Sequence, residues 1–131
     1  MEIFRATNPK VMDMIGSSVI DGVDGQWYKK MMKDRPNEVC VIVFVDGGKV
    51  VGHSLSRIAQ DATTGVRICW LDSTRHYTGI ANSKIALDVL VDWCRDVAKV
   101  KTIMTAVERG IRSLKRTYGF EKMKTILYKN I

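Results

Sequence analysis

The chain has 131 residues, a length that suits one domain, and we expect residues 1–131 to form a single domain. With 46% hydrophobic residues, 27% charged residues and two prolines, the composition excludes a largely disordered chain. The net charge of +7 fits an anionic cofactor, an acidic partner or nucleic acid, and by itself selects none of them.

The first third of the chain predicts one strand and two helices. Residues 2–6 alternate weakly in polarity, which is typical of a strand, and an Asn-Pro pair at 8–9 suits the start of a helix. A second, shorter helix covers residues 26–33, with Trp27 and Met31 on one side. Packing in the hydrophobic core is the simple interpretation for Trp27 with Met31.

The middle of the chain predicts an antiparallel meander. The apolar, β-branched run at 39–45 is typical of a strand that is buried on both faces. Asp-Gly-Gly at 46–48 predicts a hairpin turn, followed by a partner strand at 49–58. A further turn leads to a strand at 66–71.

The last part predicts a helix at 82–98, a strand at 101–107, a helix at 111–117 and a strand at 121–131. A wide apolar stripe marks the long helix, with recurring positions at Ile85, Val89 and Trp93 and with Ala86, Leu90 and Val97 beside them. A strand, crossover helix and strand imply a parallel, right-handed unit. The fold class is therefore α/β with a mixed sheet, in the order β-α-α-β-β-β-α-β-α-β and with helices flanking a central sheet.

The junction between the strand at 66–71 and the long helix is the first candidate site. A polar turn runs into Gly79, Ile80 and Ala81 just before the helix. The first N–H groups of a helix lack intrahelical partners and carry the positive end of its dipole, and small residues let a ligand approach them. This pattern predicts a site for a phosphate-bearing ligand. A junction that binds nothing is the open alternative.

Cysteine usage and the N-terminal residues bear on the cellular setting. Cys40, Cys69 and Cys94 lie in apolar surroundings, and their odd number without CxxC spacing argues against a disulfide framework or a metal site. We expect buried, reduced thiols and no bound metal. The N-terminal residues lack the basic region and apolar core of a signal peptide, so we expect a cytoplasmic protein.

The order of the elements, together with the turn and loop residues between them, resembles that of the GNAT superfamily of N-acetyltransferases over nearly the whole chain. The acetyl-CoA loop of that family reads Gln or Arg, two residues, Gly, one residue, then Gly or Ala. The stretch from His76 to Ala81 lies in that register, and Gly79 and Ala81 match. His76 replaces the usual Arg or Gln, and Tyr77 replaces a common Gly. The Gly-Phe pair at 119–120 also resembles the end of the family's last helix.

The resemblance implies acetyl-CoA bound in a cleft between two parallel strands, here 66–71 and 101–107. Its pantetheine arm would pair with the backbone of the fourth strand, and its pyrophosphate would lie on the loop and helix N–H groups. The cofactor-binding residues implied in this way are Leu71, Ser73, His76, Tyr77, Thr78, Gly79, Ile80, Ala81, Asn82 and Ser83, with Arg112 as a further phosphate contact.

Three functional residues that are usual in the family are missing. No carboxylate occurs at 64–66, where many members have a catalytic Glu, and Lys115 stands where a Tyr often protonates the leaving thiolate. An Asn that often touches the cofactor is replaced at about Arg109. Asp72 and His53 are substitute bases, although an exposed turn carboxylate and a structural His are the open alternatives. Lys115 is a substitute acid, and Tyr118 lies near it on the same helix. The resemblance also implies that Trp27 and Tyr28 line the acceptor entrance, since they stand where the family's first helices do so.

Two functions follow from this sequence, and a third ranks last. The first is an acetyl-CoA-dependent N-acetyltransferase that acts on a primary amine, with a protein among the acceptors considered. The second is a GNAT-fold protein with little or no turnover that binds a protein partner, of the kind found as phage or mobile-element accessory proteins. Nucleic-acid binding through the basic C-terminal third ranks last, because the aromatic residues there form no stacking pattern.

Overall fold

The computed structural model describes residues 1–15, 23–75, 79–106, 111–121 and 129–130. Its strands are β1 (Glu2–Ala6), β2 (Val39–Asp46), β3 (Lys49–Gln60), β4 (Arg67–Arg75) and β5 (Ile103–Thr105). Its α-helices are α1 (Val11–Ile15), α2 (Gly25–Asp34), α3 (Ile80–Trp93) and α4 (Ile111–Tyr118). A 3₁₀ turn at Pro36–Glu38 precedes β2, and a π-helical turn at Cys94–Ala98 extends α3.

The five strands form one sheet in the order β1-β2-β3-β4-β5. The first three pairings are antiparallel, whereas β4 and β5 are parallel and α3 connects them. This confirms the predicted mixed sheet. The hairpin between β2 and β3 turns at Gly47 and Gly48, whose φ angles of 58° and 76° are those of a type I′ turn.

Strand β2 separates two apolar layers, one on each face of the sheet. Its odd-numbered residues Val39, Val41 and Val43 pack against α1 and α2, and we call this side the α1/α2 face. The intervening Cys40, Ile42 and Phe44 pack against α3, on the α3 face. The alternation of side chains along a strand explains this division, and burial on both faces explains the continuous apolar run.

The buried face of α2 differs from the predicted one by about one residue, and the buried part of α3 is narrower than its predicted stripe. Tyr28 is 1% exposed in α2, whereas its neighbour Trp27 is 38% exposed. In α3, Ala86, Leu90 and Trp93 of the predicted stripe are buried, whereas Ile85 is 47% exposed. Successive residues of a helix are about 100° apart, and apolar residues stand side by side at both places. Periodicity alone therefore could not select which neighbour faces the sheet.

Strand β4 ends four residues later than predicted. The polar residues 72–75 continue the strand because β3 still pairs with them, through Leu55–Ser73, Ser54–Thr74 and His53–Arg75. The predicted polar turn at these positions is therefore wrong. Most of the predicted final strand, at 122–128, lies outside the described residues, as do residues 16–22, which hold the end of the predicted first helix and the break after it.

Candidate active site

The parallel strands β4 and β5 part shortly after they meet. They share three residue pairs, of which Leu71–Thr105 is the last, and β4 then continues alone to Arg75. The Thr105 hydroxyl donates a 3.1 Å hydrogen bond to the carbonyl of Leu71 at this point. Within the described part of the chain, no strand pairs with this edge of β4 beyond Leu71. The sheet thus opens into a wedge with its apex at Leu71.

The wedge forms a cleft of about 320 Å³. Residues 71–74 of β4 line it on one side and α3 lines it on another, while Tyr118 and Phe120 contribute from the end of α4 and the residues after it. Its polar lining includes the hydroxyl-bearing residues Ser54, Ser73, Thr74, Ser83 and Thr105. A concave site with an apolar helix on one side and hydroxyl groups nearby is typical of a small-molecule site.

Helix α3 begins at this cleft without a side-chain cap. Gly79 precedes it with φ 89° and ψ 173°, a conformation that favours glycine, and it has no side chain to cap the helix. The first helical bond runs from the N–H of Ser83 to the carbonyl of Gly79, at 3.2 Å. The N–H groups of Ile80 and Ala81, which precede this bond in the first turn, therefore need partners outside the helix. The predicted loop residues His76, Tyr77 and Thr78 lie outside the described residues.

A β-bulge beside the cleft changes the face of the sheet on which the side chains of β4 lie. Leu55 of β3 pairs with Ser73 while Ser56 pairs with Leu71, so Asp72 is the extra residue. Leu55 belongs to the α1/α2 face, and residues paired across antiparallel strands share a face. The bulge therefore turns both Asp72 and Ser73 toward α1 and α2, while Leu71 remains with the α3 face.

Asp72 lies in a polar network rather than in an exposed turn. Its Oδ2 accepts a 2.6 Å hydrogen bond from the hydroxyl of Tyr28 and a 2.8 Å bond from Nε of Arg57. The side chain of Asp72 is only 14% exposed and lines the cleft. Burial, and then the hydrogen bond to Asp72, raise the pKa of Tyr28. The phenol therefore stays protonated and remains a donor at neutral pH.

The other predicted catalytic residues lie in different environments. His53 is 4% exposed, and its Nε2 lies 3.3 Å from Oγ of Ser73, so it stands directly behind a cleft-lining residue. Lys115 is exposed and does not line the cleft, whereas Tyr118, one turn later in α4, does. The side chain of Arg112 lies outside the described part of the structure.

The three cysteines are buried and free, which confirms the expected thiols. Burial raises the pKa of Cys40 to about 12. The hydrogen bond shared with Cys94, together with burial, raises the pKa of Cys69. Cys40 and Cys69 are therefore neutral at ordinary pH, and neutral, buried thiols are poor nucleophiles. The described residues contain no cluster of metal-ligating side chains, and none of their helices has the length and apolar character to cross a membrane.

The resemblance to the GNAT superfamily implied that Tyr28 lines the acceptor entrance, but nothing in the sequence linked Tyr28 or Arg57 to Asp72, which they hold. Tyr28 is 44 positions from Asp72 along the chain and Arg57 is 15 positions away. No motif spacing links such positions. The one signal in the sequence was Tyr28 itself, since the hydroxyl of a buried tyrosine usually finds a hydrogen-bond partner.

The fold as a whole matches solved acetyltransferase structures. A predicted acetyltransferase from Clostridium acetobutylicum, solved with acetyl-CoA, superposes with a TM-score of 0.69 at 12% identity, covering 98% of this chain and 95% of that one. The chain has the GNAT acetyltransferase fold. The resemblance inferred from the sequence is therefore confirmed at the level of fold.

Two further structures show how widely this GNAT fold is shared. The AAC(6')-Iy acetyltransferase, in complex with the bisubstrate analogue CoA-S-monomethyl-acetylneamine, has a TM-score of 0.75 at 10% identity, covering 99% of this chain and 97% of that one. A ribosomal-protein-alanine N-acetyltransferase from Brucella melitensis biovar Abortus 2308 has a TM-score of 0.69 at 15% identity, with both chains fully covered. No protein-family model and no curated protein sequence matches the chain.

Proposed function

We propose that this protein is an acetyl-CoA-dependent N-acetyltransferase that acts on a primary amine. The observation that carries the proposal is the edge of β4 beyond Leu71, with which no strand of the described residues pairs, beside the start of α3, where Gly79 offers no side-chain cap. The GNAT fold supports it, because structures with the same fold were solved with acetyl-CoA and with a CoA-containing bisubstrate analogue.

The residues at the wedge fit acetyl-CoA chemically. The pantetheine arm is an extended chain with amide groups, and such groups can add to a free strand edge as another strand does. The backbone around Leu71 and Ser73 would pair with the amide groups of the pantetheine arm. The phosphates would lie at the N–H groups of Gly79, Ile80 and Ala81, where the helix dipole favours negative charge. The net charge of +7 favours the same anionic ligand.

The chemistry requires a nucleophilic amine and a proton for the leaving sulfur. Acetyl-CoA supplies the acetyl group as a thioester, so the amine nitrogen bonds to the carbonyl carbon, the C–S bond breaks, and the proton lost by the amine balances the one gained by CoA. Asp72 and the Ser73–His53 pair are the groups on the α1/α2 face that can accept or relay the amine's proton. Tyr118 is the cleft-lining hydroxyl on α4 that can protonate the sulfur.

Isothermal titration with acetyl-CoA tests the proposal. We expect binding by the wild type and at least about tenfold weaker binding by Gly79→Glu, whose carboxylate would repel the phosphates. Gly65→Glu is the matched control, because Gly65 also has a positive φ but lies in the turn between β3 and β4. Absence of both heat and a thermal shift with millimolar acetyl-CoA in the wild type would refute the proposal.

Turnover then identifies the acceptor class. Neighbours with this fold include a ribosomal-protein-alanine, an aminoglycoside and a glucosamine-6-phosphate acetyltransferase. A peptide with an N-terminal alanine, a lysine peptide, an aminoglycoside and glucosamine 6-phosphate therefore form a rational panel. We expect acetylation of at least one amine. Binding of acetyl-CoA without transfer to any amine would instead support a GNAT-fold protein that binds a partner.

A further inference from the structure

We infer that Oδ1 of Asp72 receives an N–H of the acceptor's primary ammonium group, and that Tyr28 and Arg57 are positioning residues that hold the carboxylate for this contact. The inference rests on the proposed function, because it assigns the part of the cleft that the amine uses. It adds a role in amine binding for Asp72 and a positioning role for Tyr28 and Arg57, which lie outside the cofactor site.

The two oxygens of Asp72 are in different situations. Both hydrogen bonds to the carboxylate, from Tyr28 and from Arg57, end on Oδ2. Oδ1 has no hydrogen-bond partner in the described part of the chain. A partly buried carboxylate oxygen without a donor is a strong acceptor, and here it belongs to a residue that lines the cleft.

Both positioning residues are anchored in regular structure. Tyr28 is almost fully buried in α2, and the ring of Trp27 packs against it edge-on, with centroids 5.2 Å apart and planes at 85°. Arg57 lies on β3 and pairs with Trp70, next to the bulge. Donors on two rigid elements fix the orientation of the Asp72 carboxylate more closely than a single contact would.

The chemistry favours a donor with N–H groups over a bare positive charge. Arg57 already offsets the charge of Asp72, so attraction at a distance is weak, whereas a short N⁺–H···O⁻ hydrogen bond to Oδ1 keeps its strength. A primary ammonium offers three such donors. Because Asp72 directly follows Leu71, an amine held there lies beside the apex of the wedge, on the α1/α2 face.

An NMR titration of the ¹⁵N-labelled full chain tests this assignment without requiring turnover. Butylammonium is the probe, and butyltrimethylammonium is the control ion with the same charge but no N–H. We expect butylammonium to shift the backbone signals of residues 72 and 73, and the trimethyl ion to leave them in place. Equal shifts with both ions, or none with butylammonium, would overturn the inference.

Variants separate the roles of the three residues. We expect Asp72→Asn and Tyr28→Phe to weaken butylammonium binding by at least about threefold, since each removes part of a charge-assisted network. Asp13→Asn is the matched control, because Asp13 also pairs with a cation, Lys29, but is exposed and does not line the cleft. Unchanged binding by Asp72→Asn would contradict the assignment.

Kinetics distinguish positioning from a general structural role. With an acceptor that is turned over, Tyr28→Phe should raise the KM for the amine by several-fold while the KM for acetyl-CoA stays unchanged. A proportional rise in both would mean that Tyr28 only supports the fold. If calorimetry shows no acetyl-CoA binding, the proposed function fails, while the butylammonium titration still decides whether Asp72 binds an ammonium group.

Discussion

The hydroxyl of Thr105 donates a 3.1 Å hydrogen bond to the carbonyl of Leu71, at the last residue pair that β4 and β5 share. This bond ties the two parallel strands together at the point where they part. It supplies a donor to a carbonyl next to the cleft, and the wedge begins immediately beyond it. The apex is therefore held by a side chain as well as by the strand ladder.

Thr105→Val should destabilise the protein by about 1 kcal/mol, because a carbonyl beside the cleft loses its donor while the shape of the side chain is nearly kept. For a chain of this size that corresponds to a fall in Tm of roughly 4 °C, measured by calorimetry. Thr102→Val is the control, since Thr102 is exposed and should change stability by less than about 0.5 kcal/mol. Equal Tm shifts for the two variants would contradict the role of the bond.

Tyr118→Phe should lower kcat for acetyl transfer by about a hundredfold if the Tyr118 hydroxyl protonates the leaving sulfur, the lower end of what general acids contribute. Lys115→Met should leave kcat nearly unchanged, because Lys115 is exposed and outside the cleft lining. Steady-state assays that follow release of free CoA measure both variants. A large loss with Lys115→Met and none with Tyr118→Phe would restore Lys115 as the acid.

The free energy of unfolding should fall at alkaline pH because the pKa of the buried Cys40 thiol is higher in the folded chain than in the unfolded chain. Burial raises its pKa from 9.0 to about 12, so the folded state favours the neutral thiol while the unfolded chain ionises from pH 9 upward. The stabilisation is complete below pH 9 and is lost as pH rises toward 12, by about 1.4 kcal/mol per pH unit.

Urea unfolding in steps from about pH 8 to about pH 11 measures this loss. Cys40→Ala should lower the stability at neutral pH but should give a shallower alkaline slope, since the titrating group is gone. Tyr28, whose pKa is also raised, is present in both proteins and contributes equally to both slopes. Parallel slopes for wild type and variant would show that Cys40 does not titrate in this way.

The three thiols should react with Ellman's reagent only after unfolding. Cys40 and Cys69 are fully buried and Cys94 is 4% exposed, so the reagent has no access to them in the folded chain. We expect slow reaction in buffer and three equivalents in concentrated urea. Rapid reaction of one thiol in the native protein would indicate local opening near α3 or β4, which acetyl-CoA binding should then slow.

The sequence alone determined the features that depend on local patterns. The run at 39–45 identified a doubly buried strand, Gly47 and Gly48 identified the hairpin turn, and Gly79 with Ala81 placed a helix start after the fourth strand. Side-chain alternation and positive φ are set by a few neighbouring residues, so they can be read without the fold. The order of these elements was enough for the resemblance to the GNAT superfamily.

Only the tertiary structure decided which polar groups meet at the cleft. The length of β4, the bulge at Asp72 and the bonds from Tyr28 and Arg57 all depend on β3 and α2 lying beside residues that are distant in the chain. The same holds for Tyr118, which lines the cleft, whereas the family resemblance pointed to Lys115. Such contacts result from the packing of whole elements against one sheet, and no local pattern in the sequence records that packing.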